Sequence, residues 1–241
     1  MNRDNTLDGF LGGRLSIAQP RRGFRAGHDT VLLAASIPAL AGSHVLELGS
    51  GAGVASLCLA WRVPHARVTG IEIDPELVAL ANENAARNGM ADRVSFECAD
   101  AASIGADATF DHVFFNPPFH PASGEESPSA GRDLAMRDAA NAIPDWTRRA
   151  VALTRCGGTA TVIIRADRVD EMLAAVDGKG TVLFPLFPRN GEAPKRMIIQ
   201  IQKANPEPLR LTAGLVLHEA DGRNTAGAEA VLRYGAALAL V

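Results

Sequence analysis

Asn116-Pro117-Pro118-Phe119 is the stretch of this sequence whose residue types carry the most specific chemistry. It follows Phe110-Asp111-His112-Val113-Phe114-Phe115, an apolar run that reads as a strand. An amino group on an aromatic ring is a poor nucleophile, because its lone pair is delocalised into the ring. Two acceptors placed on its hydrogens draw the nitrogen toward tetrahedral geometry and release the lone pair for in-line attack on an electrophile. The side-chain oxygen of Asn116 supplies one acceptor, and a main-chain carbonyl, that of Pro117 by its position, supplies the other. Prolines restrict φ and lack amide hydrogens, so the segment is stiff and rich in acceptors. Phe119 offers a flat face, and an aromatic stacked on a base contributes about 1–3 kcal/mol. The plainer reading of the same four residues is a proline turn that ends a strand.

A second constellation lies upstream. Val45-Leu46-Glu47-Leu48-Gly49-Ser50-Gly51-Ala52-Gly53 is a short buried strand that runs into a turn with glycine at alternate positions. Glycines let the backbone take φ above zero and approach a ligand closely. The spacing is G-x-G-x-G, which departs from the G-x-G-x-x-G of dinucleotide binders. The next strand ends Gly70-Ile71-Glu72-Ile73-Asp74, and a carboxylate about 20 residues after a glycine turn is placed to accept both hydroxyls of a ribose. Glu72 is the better candidate, because Asp74 precedes Pro75 and suits a helix N-cap. That both acids merely cap the helix is the alternative. The third strand ends at Ala99-Asp100-Ala101, where an Asp can accept from an adenine amino group. Ligands of open α/β sheets bind outside the carboxyl ends of the strands, so three such ends in order weigh more than any one.

These ends require elements to hold them. Strands are expected at 44–48, 67–73, 94–97, 110–115 and 158–164, alternating with helices at 54–62, 75–88, 137–154 and 168–176. A helix at 30–37 precedes them, with Asp29 as its N-cap. Strands at 181–187 and 196–202, separated by a turn at Asn190-Gly191, close the sheet as an antiparallel hairpin. The first ~25 residues read as irregular or short-stranded. Residues 121–131, rich in Ser, Gly, Glu and Pro, read as a long mobile loop. The expectation is an α/β, Rossmann-like, doubly wound and mostly parallel sheet in one domain over 1–241, with 1–43 as a lead-in packing near the cofactor site.

Composition narrows the function classes. The net charge is −3 and the pI about 6.1, which is not the balance of a protein that holds nucleic acid by charge alone. A local patch from Arg132, Arg137, Arg148, Arg149, Arg189, Lys195 and Arg196 would still serve, with solvated surface as the equal alternative. No apolar run approaches the roughly 20 residues of a membrane helix. The N-terminus lacks the apolar stretch of a signal peptide. Cys58, Cys98 and Cys156 read as buried thiols in a reducing cytoplasm. His28, His120 and His218 stand apart in sequence, and no metal spacing is present.

Residues 45–119 resemble a class I S-adenosylmethionine-dependent methyltransferase. The resemblance implies S-adenosyl-L-methionine as cofactor and a cofactor site made of Glu47, Gly49, Ser50, Gly51, Glu72, Ile73, Asp100, Ala101 and Asn116. Within it Glu47, Gly49 and Gly51 would lie against the methionine part, Glu72 on the ribose, and Asp100 with Ala101 near the adenine. The tetrapeptide at 116–119 is similar to the signature of amino-nitrogen methyltransferases, which implies Asn116, Pro117 and Phe119 in catalysis. The lead-in from Gly23 to Ala34 resembles that of the bacterial adenine-N6 methyltransferase family acting on valine tRNA beside the anticodon. That implies Asp29 and Thr30 near the methionine end, tRNA as partner and a cytoplasmic enzyme. A protein glutamine-amide methyltransferase uses the same tetrapeptide and ranks lower, because only residues 1–43 precede the first strand. A small-molecule methyltransferase and an inactive cofactor-binding module are further alternatives. Phe119 where tyrosine is frequent, and Glu125-Glu126 in the loop that follows, depart from the tRNA pattern. Oligomeric state is not legible.

Overall fold

The computed structural model describes residues 5–105, 109–117 and 142–240. Pro118, Phe119, His120, the 121–131 loop, Arg132 and Arg137 lie outside them.

A two-stranded antiparallel hairpin comes first, β1 (Asn5–Phe10) and β2 (Leu15–Pro20). Then follow α1 (His28–Ser36), β3 (His44–Leu48), α2 (Val54–Arg62), β4 (Arg67–Glu72), α3 (Pro75–Arg87), β5 (Val94–Cys98) and β6 (Phe110–Phe115). The chain resumes with α4 (Ala142–Leu153), β7 (Thr154–Arg165), α5 (Val169–Leu173), β8 (Thr181–Arg189) and β9 (Arg196–Gln202). Two short strands, β10 (Arg210–Leu211) and β11 (Leu215–His218), and α6 (Ala226–Leu232) complete it.

The main sheet runs β10-β8-β9-β7-β6-β3-β4-β5, with β11 also paired to β8. Strands β3 to β7 are mutually parallel, and β9 lies antiparallel between β7 and β8. The expected mixed sheet with its late antiparallel hairpin is therefore present. Alternation along the strands fills both faces. Val45 and Phe114 join the core under α1, α2, α3 and α6, whereas Leu46, Leu48, Val113 and Phe115 join the core under α4 and α5. The strand order reverses at β3, which has β4 on one side and β6 on the other, so a crevice opens at their carboxyl ends.

Several expectations are corrected. Gly27, not Asp29, is the N-cap of α1, and no side chain caps it; the Asp29 carboxylate instead accepts from Arg196 Nε at 2.7 Å. The stretch expected as a helix at 168–176 is a 3₁₀ turn, Ala166–Arg168, followed by the short α5. Only Cys58 is buried; Cys98 and Cys156 are exposed. His28 and His218, distant in sequence, bring their rings to 6.4 Å.

The hairpin docks through asparagines rather than through another strand. Asn84 in the last turn of α3 and Asn88, its C-cap, lie four residues apart. Each accepts from one backbone amide of β2 and donates to the carbonyl of the same residue: Asn88 with Ser16, at 3.0 Å in both directions, and Asn84 with Ala18, at 2.8 and 2.9 Å. An otherwise unpaired strand edge is thereby satisfied. Asn84 Nδ2 also donates to the carbonyl of Ala52, 3.0 Å away in the glycine turn. At the hairpin tip Arg14 lies over both Trp61 and Tyr234, with its guanidinium carbon 5.6 and 5.8 Å from their ring centroids.

Candidate active site

The glycine turn after β3 is pinned to β4, with Gly49 N and Ser50 N both donating to Ile71 O at 2.8 and 3.0 Å. Its three glycines are glycine for different reasons. A Cβ on Gly49 would lie 2.8 Å from Trp146, and one on Gly53 would lie 2.5 Å from Phe96. A Cβ on Gly51 would meet nothing within 4 Å, so open space lies there, and its φ of +54° disfavours most other residues. Only Gly51 leaves room where a ligand could lie.

Glu72 ends β4 beneath that opening. Its Oε2 accepts from Gly51 N at 2.9 Å, and its Oε1 accepts from Ile73 N at 2.8 Å and Asp74 N at 3.1 Å. Asp74 caps α3 as expected, its Oδ1 accepting from Glu76 N at 2.9 Å. The Ile73 side chain beside the acid is 53% exposed. Asp100 and Ala101 follow β5 and begin a 3₁₀ turn, with Asp100 O accepting from Ser103 N at 2.9 Å.

Glu47 is placed differently from Glu72. It is buried one residue before the end of β3, and its Oε2 accepts from both the amide (3.1 Å) and the hydroxyl of Ser56 in the first turn of α2. Burial pushes its carboxyl up to about 8, against the lowering effect of Ser56. It therefore braces the glycine turn against α2.

Asn116 follows the last residue of β6, and Pro117 after it is buried. The side-chain oxygen of Asn116 is buried and has no hydrogen-bond partner among the described residues. Ser50 Oγ and Thr30 Oγ1 are in the same condition. Thr30 lies in the first turn of α1, and that end of α1 is fixed at the carboxyl edge of the sheet, because Arg196, the partner of Asp29, pairs in register with Arg165 at the end of β7. Unpaired buried polar atoms are costly and uncommon in native proteins. Three of them, on α1, after β3 and after β6, together with the opening at Gly51, fit a cofactor and a substrate that bring donors and acceptors of their own.

Two residues that the sequence did not assign to the site reach the same place. Trp146 of α4 packs edge-on to Phe115 at 5.7 Å and against Gly49. Arg149, named only for a basic patch, donates from Nε to Ala101 O at 3.2 Å. Of the five described members of the patch, three pair with carboxylates: Arg148 with Asp145 at 2.6 Å, Arg189 with Glu192 at 3.3 Å and Arg196 with Asp29 at 2.7 Å. Among the described residues no group of three or more His, Cys, Asp or Glu side chains could hold a metal ion. Among them, too, no helix is long and apolar enough to cross a membrane.

A sheet that reverses at a strand ending in a glycine turn, with an acid at the next strand end, is the arrangement of the class I S-adenosylmethionine-dependent methyltransferases. Comparison with known proteins agrees. The model of the methyltransferase small domain family matches residues 25–144. A tRNA1(Val) (adenine(37)-N6)-methyltransferase of Enterobacter sp. (strain 638) is 30% identical over 214 residues, 80% of this chain and 87% of the relative. A protein of the same name from Porphyromonas gingivalis is 33% identical over 178 residues, 68% of each chain. Among solved structures, a predicted O-methyltransferase of Agrobacterium tumefaciens superposes with a TM-score of 0.73 at 26% identity, covering 88% of this chain and 98% of that one. The chain belongs to the methyltransferase small domain family, and its methyl donor is S-adenosyl-L-methionine.

Proposed function

We propose that this chain transfers a methyl group to the exocyclic amino nitrogen of an adenine in tRNA, beside the anticodon. The observation that carries the reading is the buried Asn116 oxygen without a partner at the end of β6. It is an acceptor in want of a donor, and an amino group supplies one. The Pro117 carbonyl accepts the second hydrogen, and Phe119 stacks on the base. The names of the relatives, which span most of this chain, support adenine in tRNA as the target.

When bound, the donor supplies an electrophilic methyl group. The chain's own residues do the rest. Glu72 holds the ribose hydroxyls, Asp100 and Ala101 the adenine end, with Ile73 against the ring. Gly49, Ser50 and Gly51 line the methionine end with Asp29 and Thr30, and Glu47 holds their turn in place. Asn116 orients the target nitrogen, so rate comes from positioning rather than from a nucleophile or a base of the protein. A loop nucleotide that is already unstacked suits such a pocket better than a base in a duplex. The compartment this reading implies is the cytoplasm.

The test offers tritiated S-adenosylmethionine to total tRNA, total protein and a metabolite extract in parallel, followed by nucleoside analysis. Label in tRNA as N6-methyladenosine is expected. Label confined to protein, or to the hydroxyl oxygen of a metabolite, overturns the proposal.

A further inference from the structure

Helix α4 stands over the carboxyl ends of three strands. Ile143, Thr147, Ala150 and Leu153 are buried, on the side of the helix that faces the sheet. Trp146 and Arg149, three residues apart and so neighbours on the helix surface, lie beside that stripe. The Trp146 ring occupies the place where a Gly49 Cβ would be, and it meets Phe115, the residue before Asn116. Arg149 reaches the turn after β5 and donates from Nε to the carbonyl of Ala101. One helix thus touches the glycine turn, the acceptor strand and the turn at the adenine end.

Arg149 is not fully used by that contact. Its Nη2 is buried and has no hydrogen-bond partner among the described residues. A buried donor of a charged group left without an acceptor is more costly than a neutral one. The guanidinium is a rigid fork, so the bond to Ala101 O fixes where Nη2 points. The fork sits on the carbonyl of the residue that follows Asp100.

We infer that Arg149 is a cofactor-binding residue, whose Nη2 donates to an acceptor on the adenosyl part of the methyl donor. Trp146 holds the helix at the distance from the glycine turn that this contact needs. The assignment rests on the reading that the adenosyl part lies at the end of β5.

Arg149→Gln tests it, because a glutamine amide retains a donor for Ala101 O and loses the second one. Binding to the full-length protein is measured by titration calorimetry with S-adenosylhomocysteine and with 5′-methylthioadenosine, which keeps the adenosyl part and lacks the amino-acid end. The dissociation constants of both ligands are expected to rise about tenfold, equivalent to ~1.4 kcal/mol, with the unfolding temperature of the ligand-free protein unchanged. Unchanged affinity for 5′-methylthioadenosine, or a lowered unfolding temperature with unchanged affinity, overturns the inference and leaves Arg149 a brace for the turn. Failure of the unsubstituted protein to bind 5′-methylthioadenosine refutes instead the placement of the adenosyl part, and the assignment of Arg149 with it. Arg149→Lys, which retains the charge but not the fork, is expected to bind as weakly as Arg149→Gln.

Discussion

The carboxyl ends of β3 and β6 are neighbours in the sheet, and each carries a polar side chain with a buried oxygen, in opposite condition. Glu47 near the end of β3 accepts twice from Ser56 at its Oε2. Asn116 after β6 has an oxygen that nothing among the described residues satisfies. The first end is a finished part that holds the glycine turn in shape before any ligand arrives. The second is left open among the described residues, and on the proposed reading the amino group of the substrate fills it. Burial alone therefore does not distinguish a structural polar group from a reacting one; the hydrogen-bond account does.

Four substitutions or conditions sharpen or break this contrast. The largest effect is expected at the unfinished end. Asn116→Ala is predicted to lower kcat about 100- to 1,000-fold, in the range for loss of one aligned polar group at a reacting centre, with cofactor affinity retained. Single-turnover kinetics on a tRNA transcript and calorimetry on the same protein sample check both halves. At the finished end, Glu47→Ala strands the amide and hydroxyl of Ser56, which is fully buried. It is predicted to cost about 2–4 kcal/mol of stability, read from urea unfolding.

Asn84→Ala is predicted to cost somewhat less, about 1–3 kcal/mol. The partners it abandons, Ala18 N, Ala18 O and Ala52 O, are neutral backbone groups, and Ala18 is itself buried. Because Asn84 joins the lead-in hairpin to the glycine turn, cofactor affinity is expected to fall as well; calorimetry with unchanged affinity would separate the two.

The smallest effect is in pH. Burial raises the Glu47 carboxyl to about 8, so the folded state keeps a proton that the unfolded chain releases at lower pH. Stability from this group is complete below the ordinary carboxylate range and is lost as pH rises through about 8. The change from pH 7 to 8 is about 1 kcal/mol, and Glu47→Gln is expected to flatten it. His112 works in the other direction. Burial holds its imidazole down at about 4, so its contribution fades as pH falls from the ordinary histidine range toward 4.

Much of the site was legible in the sequence because its signals are local. The glycine turn, Glu72, the Asp74 cap and Asn116 each declare themselves within a strand and the few residues after it. What was not legible depends on contacts between distant parts of the chain. Asp29 looks like a helix cap until Arg196, 167 residues away, takes its carboxylate. The glycine at 49 looks like room for a ligand until Trp146 is seen to fill that room. Asn84 and Asn88 look like polar surface on a helix until the edge of β2 is laid against them. The late strands β10 and β11 are too short to show a period, and they exist because the edge of β8 offers them a partner.

The central claim, that the Asn116 oxygen is satisfied only by the substrate, is tested most directly by thermal unfolding of the ligand-free protein with and without Asn116→Ala. Removing an unpaired buried acceptor is predicted to leave the melting temperature unchanged or to raise it, in the same preparation that has lost methyl transfer. A clear fall in melting temperature would show that Asn116 already serves the fold, and would contradict the contrast between the two strand ends.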